Sequence, residues 1–195
     1  DRPLSRGLGD VYKRQPYIEN IIGGKGSNTY EFKDNWWDAT SSVTDDINLD
    51  DSASVDGTLD FSAVTSDLKF VISEDAGVKF VTVTTVVNGK EYTVTAKGVE
   101  NLIGGKGDNQ YVFEGNASLT GSITGYSGSG ANAGTATFDF SDFDDGSDHG
   151  VRVDLSSGAA KVIINPADSS QDVVLVGSFT KVNDVVGSEF DDEIT

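Results

Sequence analysis

Short apolar runs bounded by glycine or polar residues dominate the chain: "DLKFVI", "VKFVTV", "EYTVTA", "ENLI", "QYVF", "VRVDL", "AKVII" and "DVVLV". Each is rich in Val, Ile, Phe and Tyr and stops at Gly, Asp, Asn or Ser, which predicts strands. No stretch sustains an apolar face with a 3.6-residue period, so almost no helix is expected. In "VTVTTVVNGKEYTVT", Asn88-Gly89 sits between two alternating runs. That dipeptide suits a two-residue hairpin turn, whose central residues take positive φ.

The pattern also repeats over long distances. "ENIIGGKGSNTYEF" (Glu19–Phe32) returns as "ENLIGGKGDNQYVF" (Glu100–Phe113), and "VNDVVGSEFDDEIT" closes the chain with a third, altered copy. The glycine turns begin at Gly23, Gly104 and Gly187, and "LDFS" at Leu59 returns as "FDFS" at Phe138. Both markers recur at nearly one interval, which implies two units and a stub: 16–98, 99–181 and 182–195. Short strands with glycine corners and a long repeat predict an all-β fold, a parallel β-solenoid of stacked coils. A β-hairpin near 81–96 is expected to project from it as an insertion, without a counterpart in the second unit. A β-sandwich is the alternative, since short strands at regular spacing fit that too.

Residues 1–15 are set apart. "SRGLGDVYKRQ" (Ser5–Gln15) reads back through plausible codons as a transposon adapter used in sequencing libraries, so it is treated as a non-native tail on an environmental fragment. The tail carries two acids and four bases, so the remainder has 30 acids against 10 bases, a net charge of −20 in place of −18. Such a balance opposes nucleic acid and anionic membrane surfaces and favours cations. No apolar run approaches the roughly 18 residues of a membrane helix. With no cysteine, neither disulfides nor thiolate ligands are available.

Set against the nonapeptide Gly-Gly-x-Gly-x-Asp-x-apolar-x, "GGKGSNTYE" and "GGKGDNQYV" resemble the RTX, or haemolysin-type, calcium-binding repeats of large bacterial secreted and surface proteins. The resemblance implies glycine corners whose carbonyls and acidic side chains chelate Ca2+, with ligands among Asn28, Gly105, Gly107, Asp108, Asn109, Asp191 and Asp192. Ca2+ takes roughly six to eight oxygens at ~2.3–2.6 Å, and glycine lets several carbonyls converge. Asn28 and Asn109 stand where the pattern has aspartate; Asp192 keeps the acid, with Phe190 in place of a glycine. Lys25 and Lys106 suggest an ammonium near the carbonyls in place of a metal. Tyr30, Phe32, Tyr111 and Phe113 are expected to point inward.

Other candidates have plainer readings. Asp142, Asp144, Asp145 and Asp148 fall out of register with an EF-hand and read as a solvated acidic loop, as does "DDINLDDS" (Asp45–Ser52). Trp36 and Trp37 suit either sugar stacking or packing over the end of a coil. His149 is the only histidine, so a Ser-His-Asp triad has little to stand on and no enzyme is expected. "NAS" at Asn116 matches a glycosylation acceptor. The expected role is a non-enzymatic spacer segment of a secreted or surface-displayed, adhesin-like bacterial protein, binding calcium and, through its parent, glycans or cell surfaces. The alternative is a carbohydrate-contacting accessory region of a secreted carbohydrate-active enzyme.

Overall fold

The computed structural model describes residues 18–22, 27–36, 40–44, 57–129 and 133–195. The tail of residues 1–15, the Gly23–Gly26 turn with Lys25, Trp37 and the Asp45–Ser52 segment lie outside these residues. The strands in chain order are β1 (Ile18–Ile22), β2 (Thr29–Glu31), β3 (Thr40–Thr44), β4 (Gly57–Asp60), β5 (Leu68–Asp75), β6 (Val78–Val87), β7 (Lys90–Lys97) and β8 (Val99–Ile103). They continue with β9 (Asn109–Phe113), β10 (Leu119–Thr124), β11 (Ala136–Asp139), β12 (Val151–Asp154), β13 (Ala159–Val162), β14 (Val173–Thr180), β15 (Asp184–Val186) and β16 (Glu193–Ile194). A 3-10 turn at Ser169–Gln171 joins β13 to β14, and no α-helix occurs among the described residues.

Alternation drives these elements. In β5, Leu68, Phe70 and Ile72 are buried, whereas Lys69 faces solvent and Val71 is half-buried. The strands form two mixed, open sheets of eight, ordered β1-β3-β7-β6-β5-β9-β11-β15 and β2-β4-β8-β10-β14-β13-β12-β16. Successive strands alternate between them except in two antiparallel meanders, β5–β7 in the first sheet and β12–β14 in the second. All other neighbours pair in parallel.

Both sheets bury one apolar cluster. In the first, Phe70, Tyr111, Phe138 and Val185 form an inward row; in the second, Tyr30, Leu59, Leu102, Ile123 and Phe179 do the same. Phe70 stacks on Tyr111 at 4.6 Å, and Phe138 meets Phe179 across the sheets at 4.9 Å. Each such pair contributes roughly 0.5–1.5 kcal/mol beyond buried area.

The Asn88-Gly89 turn forms as expected, with φ of 53° and 76° between paired Val87 and Lys90. The hairpin does not stand off the sheet, however. β6 and β7 are built into it between β3 and β5, and only the tip, Thr85 to Tyr92, runs past its neighbours. Nor is the second half without a counterpart. β12, β13 and β14 follow β5, β6 and β7 in the same order at the interval of the glycine turns, and Gly158 (φ 70°) takes the place of Gly77 (φ 79°).

The "DFS" markers end strands in both places. Asp60 Oδ1 accepts the Ser62 N–H at 2.8 Å, and Asp139 Oδ1 accepts that of Ser141 at 3.0 Å. Phe61 and Phe140 are buried completely. Aspartate side chains of this kind close turns on their own backbone. The two markers lie in different sheets, and so do the strands that lead into the two glycine motifs. β1 belongs to the first sheet, whereas β8, its counterpart in the second unit, belongs to the second.

Candidate binding groove at a glycine corner

β8 runs into Gly104–Asp108, which turns the chain into β9. Two glycines here are required by close approach. A Cβ on Gly104 would stand 2.2 Å from Gly125 O, and one on Gly107 would stand 2.6 Å from Asp67 Oδ1 and 2.8 Å from Ser66 O. The corner therefore packs backbone on backbone. Tyr111, fully buried, donates its hydroxyl to Gly125 O at 2.9 Å, and burial pushes the phenol's pKa well up.

Asn109 occupies the centre of the corner, only 2% exposed. Its Oδ1 accepts the Gly105 N–H at 2.8 Å, while Nδ2 donates to Gly107 O at 2.7 Å, to Gly105 O at 3.2 Å and towards Thr135 O at 3.4 Å. Gly105 O also receives the Ser127 N–H at 2.7 Å. Thus the convergent carbonyls that a cation would need are met by a neutral amide. Lys106, the suggested substitute, is exposed and bonds through its backbone N–H to Val64 O.

Aspartates link this corner to its neighbours. Asp34 Oδ1 accepts the Thr65 N–H, Asp67 Oδ1 that of Asp108, and Asp108 Oδ1 both the N–H and hydroxyl of Thr135, at 2.8–3.0 Å. Asn183 Oδ1 takes the Ala136 N–H at 3.0 Å. These partners are far apart in the chain, so the sequence alone did not reveal Asp67, Thr135 or Asn183. Above the corner, the hairpin tip folds in. The Thr85 hydroxyl, buried, donates to Asp67 O at 2.8 Å and lies 3.0 Å from Ser66 Oγ.

Between tip and corner lies a groove of about 620 Å³, lined among others by Asp67, Lys69, Thr84, Glu91, Asp108 and Gln110. The Gln110 amide is held by Asp139 Oδ2 at 2.8 Å. The lining is mixed, with three carboxylates, one ammonium and hydroxyls, and offers hydrogen bonds but no aromatic platform.

The remaining predicted ligands do not join this corner. Asn28 belongs to the first glycine motif, where its carbonyl accepts the Thr58 N–H. Asp192 takes the place of Asn109 in the third: its Oδ1 accepts Ser188 Oγ–H and Val151 N–H, each at 2.8 Å. Asp191 beside it is exposed. Among the described residues, no three His, Asp or Glu side chains gather into a metal-sized group.

Other candidates take structural positions. Trp36 is buried, edge-on to Phe32 at 5.8 Å and Phe61 at 5.7 Å, and offers no face for a sugar. His149 Nδ1 lies 2.6 Å from Asp145 Oδ2; burial works against the Asp145 charge, but the His149 ring and the Ser147 N–H outweigh it and hold that carboxyl below its usual range. Asp144 and Asp145 close tight turns onto Gly146 and Ser147. Asn116 is exposed. Compared with protein families and with curated proteins, the chain finds no match.

Proposed function

We propose that the chain is a non-enzymatic structural segment, a β-solenoid spacer of a large secreted or cell-surface bacterial protein of the adhesin kind. One observation carries this reading: strands taken in chain order alternate between two sheets and, meanders apart, lie parallel to the preceding strand of the same sheet. Such winding adds length with each turn, and the aspartate and asparagine bonds between corners lock each turn to the next. With Trp36 buried, the glycan-contacting alternative draws its support, among the described residues, from the groove beside Asp108.

Calcium belongs in this reading to corners with a carboxylate in the position that Asn109 holds, of which Asp192 is the described example. The Asn109 corner is closed by its own amide. A cation bound to the native state alone would stabilise it by mass action.

Eight strands at about 4.8 Å make a stack of roughly 38 Å. Small-angle scattering on the chain and on a tandem duplication of residues 16–181 tests the spacer role. The duplication should lengthen the particle at nearly constant cross-section; an isotropic or flexible particle would reject it.

A further inference from the structure

The groove at the Asn109 corner carries more chemistry than the fold consumes. Lys69, Gln110 and Thr137 stand on the adjacent strands β5, β9 and β11 in direct register, and all three line the groove. Their chain neighbours Leu68, Phe70, Asn109, Tyr111, Ala136 and Phe138 are buried, so these three belong to the outer face of the first sheet. Neighbouring strands lie about 4.8 Å apart, so an ammonium, an amide and a hydroxyl follow one another across the sheet at that interval. Glu91 on the hairpin tip and Asp67 and Asp108 on the corner border the row.

These groups are positioned yet largely unspent. The Gln110 amide nitrogen donates to Asp139 Oδ2 at 2.8 Å, which holds the amide in place and leaves its carbonyl oxygen as an oriented acceptor. Asp67 and Asp108 each bond inside the corner through Oδ1, to the Asp108 N–H and to Thr135, and each keeps a second oxygen. Among the described residues, neither Lys69 nor Glu91 enters an ion pair.

The signs of these charges choose the ligand. Three carboxylates face one ammonium on a chain of net charge −18, so an anion is repelled both in the groove and at a distance. A cation pairs with the acids but sets a like charge against Lys69. A hydroxyl both donates and accepts, so an uncharged polyol offers oxygen to Lys69 and O–H to Gln110 Oε1 and the carboxylates. The groove's volume of about 620 Å³ falls within the roughly 300–1,000 Å³ of small-molecule sites. The strand spacing is close to the advance of one ring along an extended sugar chain.

We propose that the groove binds an uncharged oligosaccharide, laid across β5, β9 and β11 with Lys69, Gln110 and Thr137 beneath it. No aromatic ring lines the groove, so ring stacking adds nothing and the affinity is weak, in the millimolar range. The inference goes beyond the spacer role and does not rest on it, because scattering reads particle length and not binding.

Nuclear magnetic resonance titration of the full, isotope-labelled chain tests it. The probes are maltohexaose, cellohexaose, mannohexaose and chitohexaose, with oligogalacturonate as the anionic control and spermidine as the cationic one. One or more neutral sugars should shift the backbone signals of Lys69, Gln110 and Thr137 and the side-chain amide of Gln110, and oligogalacturonate should not. Lys69→Ala should weaken that binding by about tenfold and Gln110→Ala by about fivefold. Lys79→Ala, outside the groove, should leave it unchanged, and circular dichroism confirms that each variant is folded. Unmoved groove signals with all four sugars overturn the proposal, as do shifts confined to another face or full binding in both Lys69→Ala and Gln110→Ala. Spermidine held in the groove more tightly than every neutral sugar also overturns it, since that would make the groove a cation site.

Discussion

The side-chain amide of Asn109 donates to Gly107 O at 2.7 Å while its carbonyl accepts the Gly105 N–H at 2.8 Å, so one buried residue ties both sides of the corner. Asn109→Asp keeps the acceptor and turns the donor into a charged oxygen among carbonyls. Leaving a buried charge unpaired costs about 3–5 kcal/mol. Melting in EDTA should therefore fall sharply, and millimolar Ca2+ should restore part of the loss. Failure of calcium to restore any would mean that the corner cannot host a cation.

For the native chain, calcium acting through Asp192 predicts a melting midpoint raised by millimolar Ca2+ over EDTA. The rise should vanish in Asp192→Asn and persist in Asn109→Ala. An unmoved midpoint in the native chain removes calcium from the function.

Phe138 touches Tyr111, Phe113, Phe140 and Phe179, and joins both sheets. Phe138→Ala should cost about 3–5 kcal/mol in urea unfolding. Tyr111→Phe removes the hydroxyl's bond to Gly125 O and its longer one to Thr124 O, together worth about 1 kcal/mol, or a drop of roughly 2–4 °C in midpoint.

Hydrogen bonds from Ser156 and Ser157 hold the Asp154 carboxyl well below its ordinary pKa. A carboxyl lowered in the folded state stabilises above the unfolded pKa, and that contribution is lost as pH falls through the folded one. Stability should thus decline from about pH 4 downwards. Asp154→Asn should be less stable at neutral pH and should flatten that acid limb; an unchanged limb in urea titrations would assign the acid sensitivity elsewhere.

Gly89 has φ of 76° and no atom within 4 Å of a would-be Cβ. Gly89→Val should destabilise through backbone strain alone, by about 1–2 kcal/mol. A larger loss would show contacts at the hairpin tip beyond those described.

Local chemistry was legible. Asn88-Gly89 announced its turn, the alternating runs announced strands, and Tyr111 and Phe113 announced their inward faces. What escaped was set by distance. The β12–β14 meander hides because Ser156, Ser157 and Gly158 make a less distinctive turn than Asn-Gly, and because the long connection 163–172 separates β13 from β14. Asn109 looked like a weakened metal ligand. Only the carbonyls brought to it by the fold show that its nitrogen is used as well as its oxygen, donating to Gly105 O and Gly107 O.

The exchange of sheets between β1 and β8 imposes a parity. Strands β1–β7 place five members in the first sheet and two in the second, and β8–β14 reverse those numbers. One such stretch is lopsided by three strands; two together come out flush. One meander broadens one flank and the other broadens the opposite flank, so these fourteen strands are two-sided.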